Sequence, residues 1–349
     1  MENFETTSSD SSDQEVRSIR RKKVYRKRVD LQKYDDIDFF DRFRLKKETV
    51  LHLLQEIEDA IKMPTNRGGC ITPIQQLLLT LRFYATGNML ITVADFMGVS
   101  EASASRIVKR VSRAIASRSQ KYIKMPETEA EMEEIAENFY KIASFPRVIG
   151  AIDCTLIRID SPGGNDAEIF RCRKSFFALN VQTVSDAKLK IRNIVCRWPG
   201  SVHDQTIFNN SLLKYNFENN AFGSYILIGD SGYALKKYLM TKLQQPRTPA
   251  ENLYNESIIR TRNTVERQYG VWKRRFPVLK FGMRLQLDTI RLIIVATAVL
   301  HNIAIDMNDI FTIENFEEEE LEDNPQLFAN AVNGEYVRNL LISQHFARL

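Results

Sequence analysis

Val148-Ile149-Gly150-Ala151-Ile152-Asp153 is a short apolar run that ends on an acid, and Tyr225-Ile226-Leu227-Ile228-Gly229-Asp230 repeats the pattern. A carboxylate at the lip of a hydrophobic strand loses hydration, and the usual compensator is a divalent cation shared among several such groups. Around the first run, Leu156, Arg158 and Asp160 alternate, and Phe177 to Val184 and Leu189 to Cys196 read as two further strands. Three consecutive strands with short links predict an antiparallel meander, to which Tyr225 to Ile228 adds a buried strand. Asp204, at the end of Trp198-Pro199-Gly200-Ser201-Val202-His203-Asp204, begins a helix through Ile207, Phe208, Leu212 and Leu213. A long helical pattern from about Asn252 to Arg275 carries Glu266. Its inward stripe is Val265, Tyr269, Trp272 and Phe276, with Arg262, Glu266 and Lys273 along the adjoining face. One acid on the first strand, one after the fourth and one on a following helix can converge at the open edge of a mixed sheet.

Ahead of that domain the pattern is helical, from about Asp38 to Arg118. Phe39, Phe43, Leu51, Leu54 and Ile57 recur at three- and four-residue spacing, and Ile74, Leu77, Leu78, Leu81 and Tyr84 repeat it after Gly68-Gly69. Thr92 to Val108 then reads as a helix, a turn at Gly98, a cap at Ser100 and a second helix, which is helix-turn-helix spacing. The second helix turns Ile107, Val111 and Ile115 inward and presents Ser103, Arg106, Lys109, Arg110 and Arg113. That basic face suits DNA phosphates or a major groove, and the bland alternative is an ordinary helical hairpin. The acidic residues Glu127 to Glu137 fit a connecting helix with a solvated face and carry no assigned chemistry.

A chain of 349 residues that is 44% apolar can build more than one cored unit. The division read here is a basic N-terminal arm over residues 1–37, a helical domain over 38–120 and a connecting helix over 121–145. A catalytic domain over 146–310 and an acidic linker with a C-terminal helix over 311–349 complete it. The net charge of +5 hides an asymmetry: Arg17 to Arg28 holds eight Lys or Arg, whereas Glu317 to Asp323 is almost wholly acidic. The basic run reads as a nuclear-import signal or a phosphate-binding arm, against the plain alternative of a solvated tail. Cys70, Cys154, Cys172 and Cys196 form no CxxC pair, which disfavours a disulfide framework and a zinc finger and suits a reducing compartment. Leu292 to Leu300 is too short for a membrane span and ends at His301 and Asn302. A soluble intracellular protein is the expectation.

With these residues in view, the chain from about Phe39 to Asp306 resembles the PIF/Harbinger transposase family. The resemblance implies a helix-turn-helix-like N-terminal part followed by a DDE nuclease domain of ribonuclease-H-like fold, an α+β chain with a mixed-sheet catalytic core. Carried over by motif, the catalytic acids are Asp153 in Gly150-Ala151-Ile152-Asp153, Asp230 in Gly229-Asp230-Ser231-Gly232-Tyr233 and Glu266 in Arg262-Asn263-Thr264-Val265-Glu266-Arg267. The family's Pro-Gly-Ser-x-His-Asp motif adds Asp204 to the metal set. Arg262, Glu266 and Lys273 also meet the insertion-sequence signature of Arg, three residues, Glu, six residues, Lys. Two positions depart: the family's Asp-Gly-Thr-His stands here as Asp153-Cys154-Thr155-Leu156, and Ile259 replaces the Tyr that often precedes Arg262.

The chemistry implied is divalent-metal-dependent cleavage of DNA. Two Mg²⁺ or Mn²⁺ ions about 4 Å apart, held by Asp153, Asp230 and Glu266, would activate a water and stabilise the leaving 3′ oxygen. Hard oxygen ligands select those ions over zinc. Asp204 would be a further ligand or a supporting group, and Lys273 and Arg262 would hold phosphate. His203 stays outside the metal set, because a lone His is more often structural. Taken singly, each acid reads as a helix cap, turn residue or surface charge, Asp204 above all. The competing function is a catalytically silent DNA-binding or scaffold protein. The resemblance also implies a Myb/SANT-like partner protein, and the expected location is the nucleus with a cytoplasmic pool; no membrane partner is expected, and a homodimer is left open.

Overall fold

The computed structural model describes residues 28–64, 70–309 and 332–349. Most of the basic run, the Gly68-Gly69 break and the acidic stretch Glu317 to Asp323 lie outside them. Seven helices come first: α1 (Asp36–Phe43), α2 (Lys47–Ile61), α3 (Pro73–Thr86), α4 (Leu90–Met97), α5 (Glu101–Ala116), α6 (Ser119–Tyr122) and α7 (Glu129–Ala143). The second half runs β1 (Val148–Arg158), β2 (Ala178–Ser185), β3 (Ile191–Pro199), α8 (Asp204–Asn209), α9 (Leu212–Glu218), β4 (Ile226–Ile228) and β5 (Leu239–Met240). It closes with α10 (Pro249–Arg275), α11 (Leu287–Asp306) and α12 (Val332–Leu341).

Local chemistry fixes the helix ends. Thr72 and Gln75 form a reciprocal capping box ahead of Pro73, and Gly87 stops α3 at φ 62°. Thr248 and Glu251 do the same at α10, again with Pro first. Glu131 closes a box with Thr128, so one acid of the connecting helix is a cap. Between α4 and α5, Gly98 takes φ 66° and Ser100 caps α5 by accepting from the Ser103 amide. Ile107, Val111 and Ile115 face inward as the spacing predicts. In α2 the buried stripe is Val50, Leu53, Ile57 and Ile61, while Leu51 is 43% exposed. A 3.6-residue stripe anchored on Ile57 passes through Leu53 and Val50, so Leu51, though part of the apolar spacing, falls outside it.

The strands form one mixed sheet in the order β3-β2-β1-β4-β5. The meander is antiparallel, with Asp153 opposite Thr183 and Cys154 opposite Gln182, whereas β4 runs parallel to β1 and β5 parallel to β4. Gly150 allows the close approach of β1 to its neighbours, since a Cβ there would stand 2.3 Å from Val184 Cγ1. One face of the sheet, through Ala151, Ile157, Leu179 and Val181, shares a continuous core with α2 to α5, α10 and α11. The other face packs α7, α8, α9 and the C-terminal segment through Phe139, Phe145, Phe208 and Phe217.

α11 has the length and apolarity of a membrane span, but 72% of its most apolar window is buried inside the protein. The helix runs on past the polar pair His301 and Asn302 to Asp306. Both are buried, and their polar atoms serve the β2–β3 hairpin: His301 Nε2 meets Leu189 O at 2.8 Å, and Asn302 brackets the Ile191 amide and carbonyl. The C-terminal segment is helical from Val332 to Phe346. It docks on this chain's own core, with Phe346 against Phe145 and Tyr254 and His345 Nε2 at 2.7 Å from Ser144 O.

Candidate active site

The first acid lies in the middle of the central strand. Asp153 is 4% exposed; its Oδ1 accepts the Cys154 amide at 2.8 Å, and its Oδ2 is buried with no hydrogen-bond partner. Its backbone is fixed from α10, because the Tyr269 hydroxyl donates to the Asp153 carbonyl at 2.7 Å. Thr183, across the ladder, lies within 3.0 Å of both Tyr269 Oη and Gln268 Oε1. Burial pushes the Asp153 carboxyl well above the usual range, nearby Asp230 and Asp204 push it further, and Arg262 opposes them. Asp230 and Asp204 are therefore both close enough to act on the Asp153 carboxyl.

Asp230 follows β4 in a turn where its Oδ1 accepts the Gly232 amide at 3.0 Å. Asp204 is the first residue of α8, but it is not the N-cap, which is His203. Its Oδ1 instead accepts from Asn180 Nδ2 at 2.9 Å, and the same amide also reaches Val202 O. Gly200 lets this loop fold onto the sheet, since a Cβ there would meet Phe170 O and Ala178 O at 2.8 and 2.9 Å. Gln205 ties the two acidic loops together by accepting from the Ala234 amide at 2.6 Å.

Glu266 occupies the predicted face of α10 and is paired with Arg262 at 2.7 Å. The structure thus joins Asp153, Asp204 and Asp230 through their mutual fields and holds Glu266 through Arg262. Among the described residues, no three His, Cys, Asp or Glu side chains gather closely enough to hold a metal ion as they stand. The donors still suit a hard divalent cation: all are carboxylates, Asp230 and Asp204 raise Asp153, and Asp153 Oδ2 is an orphaned buried acceptor that a cation would satisfy.

Asp204 and Asp230 open into a cleft of about 660 Å³, whose lining also includes His203, Arg158, Arg173, Lys174 and Lys280. Lys273, predicted to hold phosphate, lines it too and donates to Leu156 O at 3.3 Å. On α5, Arg106 and Arg113 are exposed and Lys109 is half-buried. Arg110 is less available, since its guanidinium donates to Gln76 Oε1 at 3.0 Å.

Sequence reasoning passed over Asn180, Gln182 and Arg158. Gln182 donates to Tyr233 Oη at 3.2 Å and, with Asn180, lies opposite Cys154 and Leu156 on the ladder. The signal was present: two amides at i and i+2, flanked by Ala178, Leu179, Val181 and Val184, put a polar pair on one face of a buried strand.

Comparison with known proteins points the same way. A family model described as DDE superfamily endonuclease matches residues 152–302. The chain is 30% identical over 332 residues to the bovine protein named "Putative nuclease HARBI1", covering 91% of this chain and 94% of that protein, and the human counterpart matches equally. An Arabidopsis thaliana protein named "Protein ALP1-like" is 24% identical, covering 79% of this chain and 72% of its own length. No solved structure matches at a significant level.

Proposed function

Because this chain belongs to the Harbinger-transposase-derived DDE superfamily endonucleases, we propose that it is a divalent-metal-dependent DNA endonuclease hydrolysing phosphodiester bonds. The observation that carries the proposal is the buried, unpartnered Oδ2 of Asp153 facing the fields of Asp204 and Asp230 beside a cation-lined cleft. The strand order, with two parallel strands added to an antiparallel meander at β1, supports a ribonuclease-H-like core.

In this reading Asp153, Asp230 and Glu266 would hold Mg²⁺ or Mn²⁺, with Asp204 as an added oxygen donor. A cation held there would supply water activation and charge neutralisation at the leaving oxygen. Tyr269, through the Asp153 carbonyl, keeps the central acid in register with α10. Asn180 and Gln205 hold the Asp204 and Asp230 loops in fixed relation, so the donors are aligned before substrate arrives. Lys273, Arg158 and Lys280 draw the phosphodiester into the cleft. Glu266 joins the donors as Arg262 exchanges its carboxylate for a substrate phosphate, which accounts for their pairing in the free protein.

The helix-turn-helix-like pair α4 and α5 contributes DNA contact through Arg106, Lys109 and Arg113, with Arg110 held back by Gln76. A Myb/SANT-like partner protein and nuclear residence with a cytoplasmic pool belong to the same proposal. The test is nicking of supercoiled DNA by purified protein, with and without the partner. Nicking in Mg²⁺ or Mn²⁺ that EDTA abolishes supports the reading. DNA binding without cleavage in any metal condition supports the silent-scaffold alternative.

A further inference from the structure

One segment of the cleft lining has no part in the chemistry assigned to the acids. It is built on a tight hairpin, Arg171 to Phe177, closed by the Arg171–Phe177 bridge. The Cys172 amide donates to Phe176 O and the Ser175 amide to Cys172 O, both at 2.9 Å. Ser175 turns the tip at φ 65°. Arg173 and Lys174 stand exposed at that tip. Arg171 braces its base by donating to Ser175 O at 3.2 Å and by stacking its guanidinium 4.4 Å from the Phe177 ring. The half-buried Phe176 ring turns into the cleft, with the Arg158 guanidinium 4.6 Å from its centroid.

Phosphate binding explains Arg158, Arg173 and Lys174, but it does not call for an aromatic ring among them. Base stacking does: a π-face beside guanidinium groups is the recurrent platform for single-stranded nucleic acid. Space agrees, since a cleft of about 660 Å³ has room for a nucleotide or two. A ring in such a cleft reaches only a base that has left the helical stack.

Resting on the DNA-nuclease reading, we propose that Phe176 and Arg158 form a subsite for one unpaired nucleobase next to the scissile phosphate, with Arg173 and Lys174 holding the flanking backbone. The protein then prefers DNA with a single-stranded or frayed segment at the cut over fully paired DNA.

The experiment is fluorescence anisotropy in Ca²⁺, using a labelled duplex with a single-stranded 3′ extension and the same duplex blunt-ended. Phe176→Ala is expected to weaken binding of the extended DNA about tenfold and to leave blunt duplex within twofold. Phe176→Trp, which keeps the stacking face, is expected to retain affinity, and the Arg173→Ala/Lys174→Ala double variant to weaken both substrates. Equal effects of Phe176→Ala on both DNAs, or none, overturn the subsite. Wild-type binding to blunt duplex with no gain from the extension overturns it while leaving the nuclease reading intact; no binding to either DNA removes both.

Discussion

Asp153→Asn is expected to stabilise the metal-free protein. The carboxylate is 4% exposed, lacks a partner for one oxygen and faces the negative fields of Asp230 and Asp204. An amide has nearly the same shape, keeps an oxygen for the Cys154 amide and carries no charge. Because the folded-state carboxyl is raised above its usual value, the native state binds more protons than the unfolded chain between the two values. Stability contributed by the protonated form is therefore full at low pH and is lost as pH rises towards the folded-state value. A buried acceptor left without a partner costs about 1–3 kcal/mol, more when it is charged, so relief of at least about 1 kcal/mol is expected at pH 8. That corresponds to a melting midpoint about 2–4 °C higher. The assay is thermal unfolding in EDTA at pH 8 and pH 5, then at pH 8 with Mn²⁺. The advantage of the variant should shrink at pH 5, and Mn²⁺ should stabilise wild type more than the variant. A variant as stable as wild type or less stable at pH 8, with no difference in pH trend, refutes the account of Asp153 as a strained, cation-seeking acid.

Burial lowers His301 from 6.5 to about 4, so the folded state resists a proton that the unfolded chain accepts. Stability should fall as pH drops from 6.5 towards 4, by roughly 3 kcal/mol in total, and urea titrations of His301→Leu should show a flatter slope across that window. Asp309→Ala leaves Arg275, whose side chain is 4% exposed, without its 3.3 Å carboxylate partner. It also removes the acceptor for the Lys46 amide and the Thr49 hydroxyl. A loss of about 3–5 kcal/mol by chemical denaturation is expected, and a loss below about 1 kcal/mol would show that the pair does not fasten α10 to the helical half. Arg262→Gln releases Glu266 and should raise Mn²⁺ affinity in the absence of DNA roughly fivefold, read by electron paramagnetic resonance; unchanged or weaker binding contradicts the exchange role.

Much of this architecture was legible because period and punctuation agree. The meander over Phe177 to Cys196, the buried strand before Asp230 and the long helix carrying Glu266 appear where apolar runs and caps placed them. The inward faces of α5 and α10 were readable for the same reason. What escaped depends on contacts between distant segments. No local rule indicates that Asn302 brackets a strand over a hundred residues away, or that Arg110 is held by Gln76. Apolar spacing in α2 admits neighbouring stripes, through Leu51 or through Val50 and Leu53, and packing against α3 selects the second. In the site, motif spacing supplied the acids, but not the Arg262–Glu266 pairing that keeps one of them apart in the free protein.

The most direct measurement is single-turnover cleavage of one defined DNA by wild type and by Asp153→Asn, Asp230→Asn and Glu266→Gln, at protein concentrations that saturate DNA binding in every case. The account predicts that each single change lowers the metal-dependent rate by at least about a thousandfold while DNA affinity stays near wild type, since the acids act as one unit. Wild-type cleavage that survives any one of the three substitutions contradicts a single shared carboxylate centre.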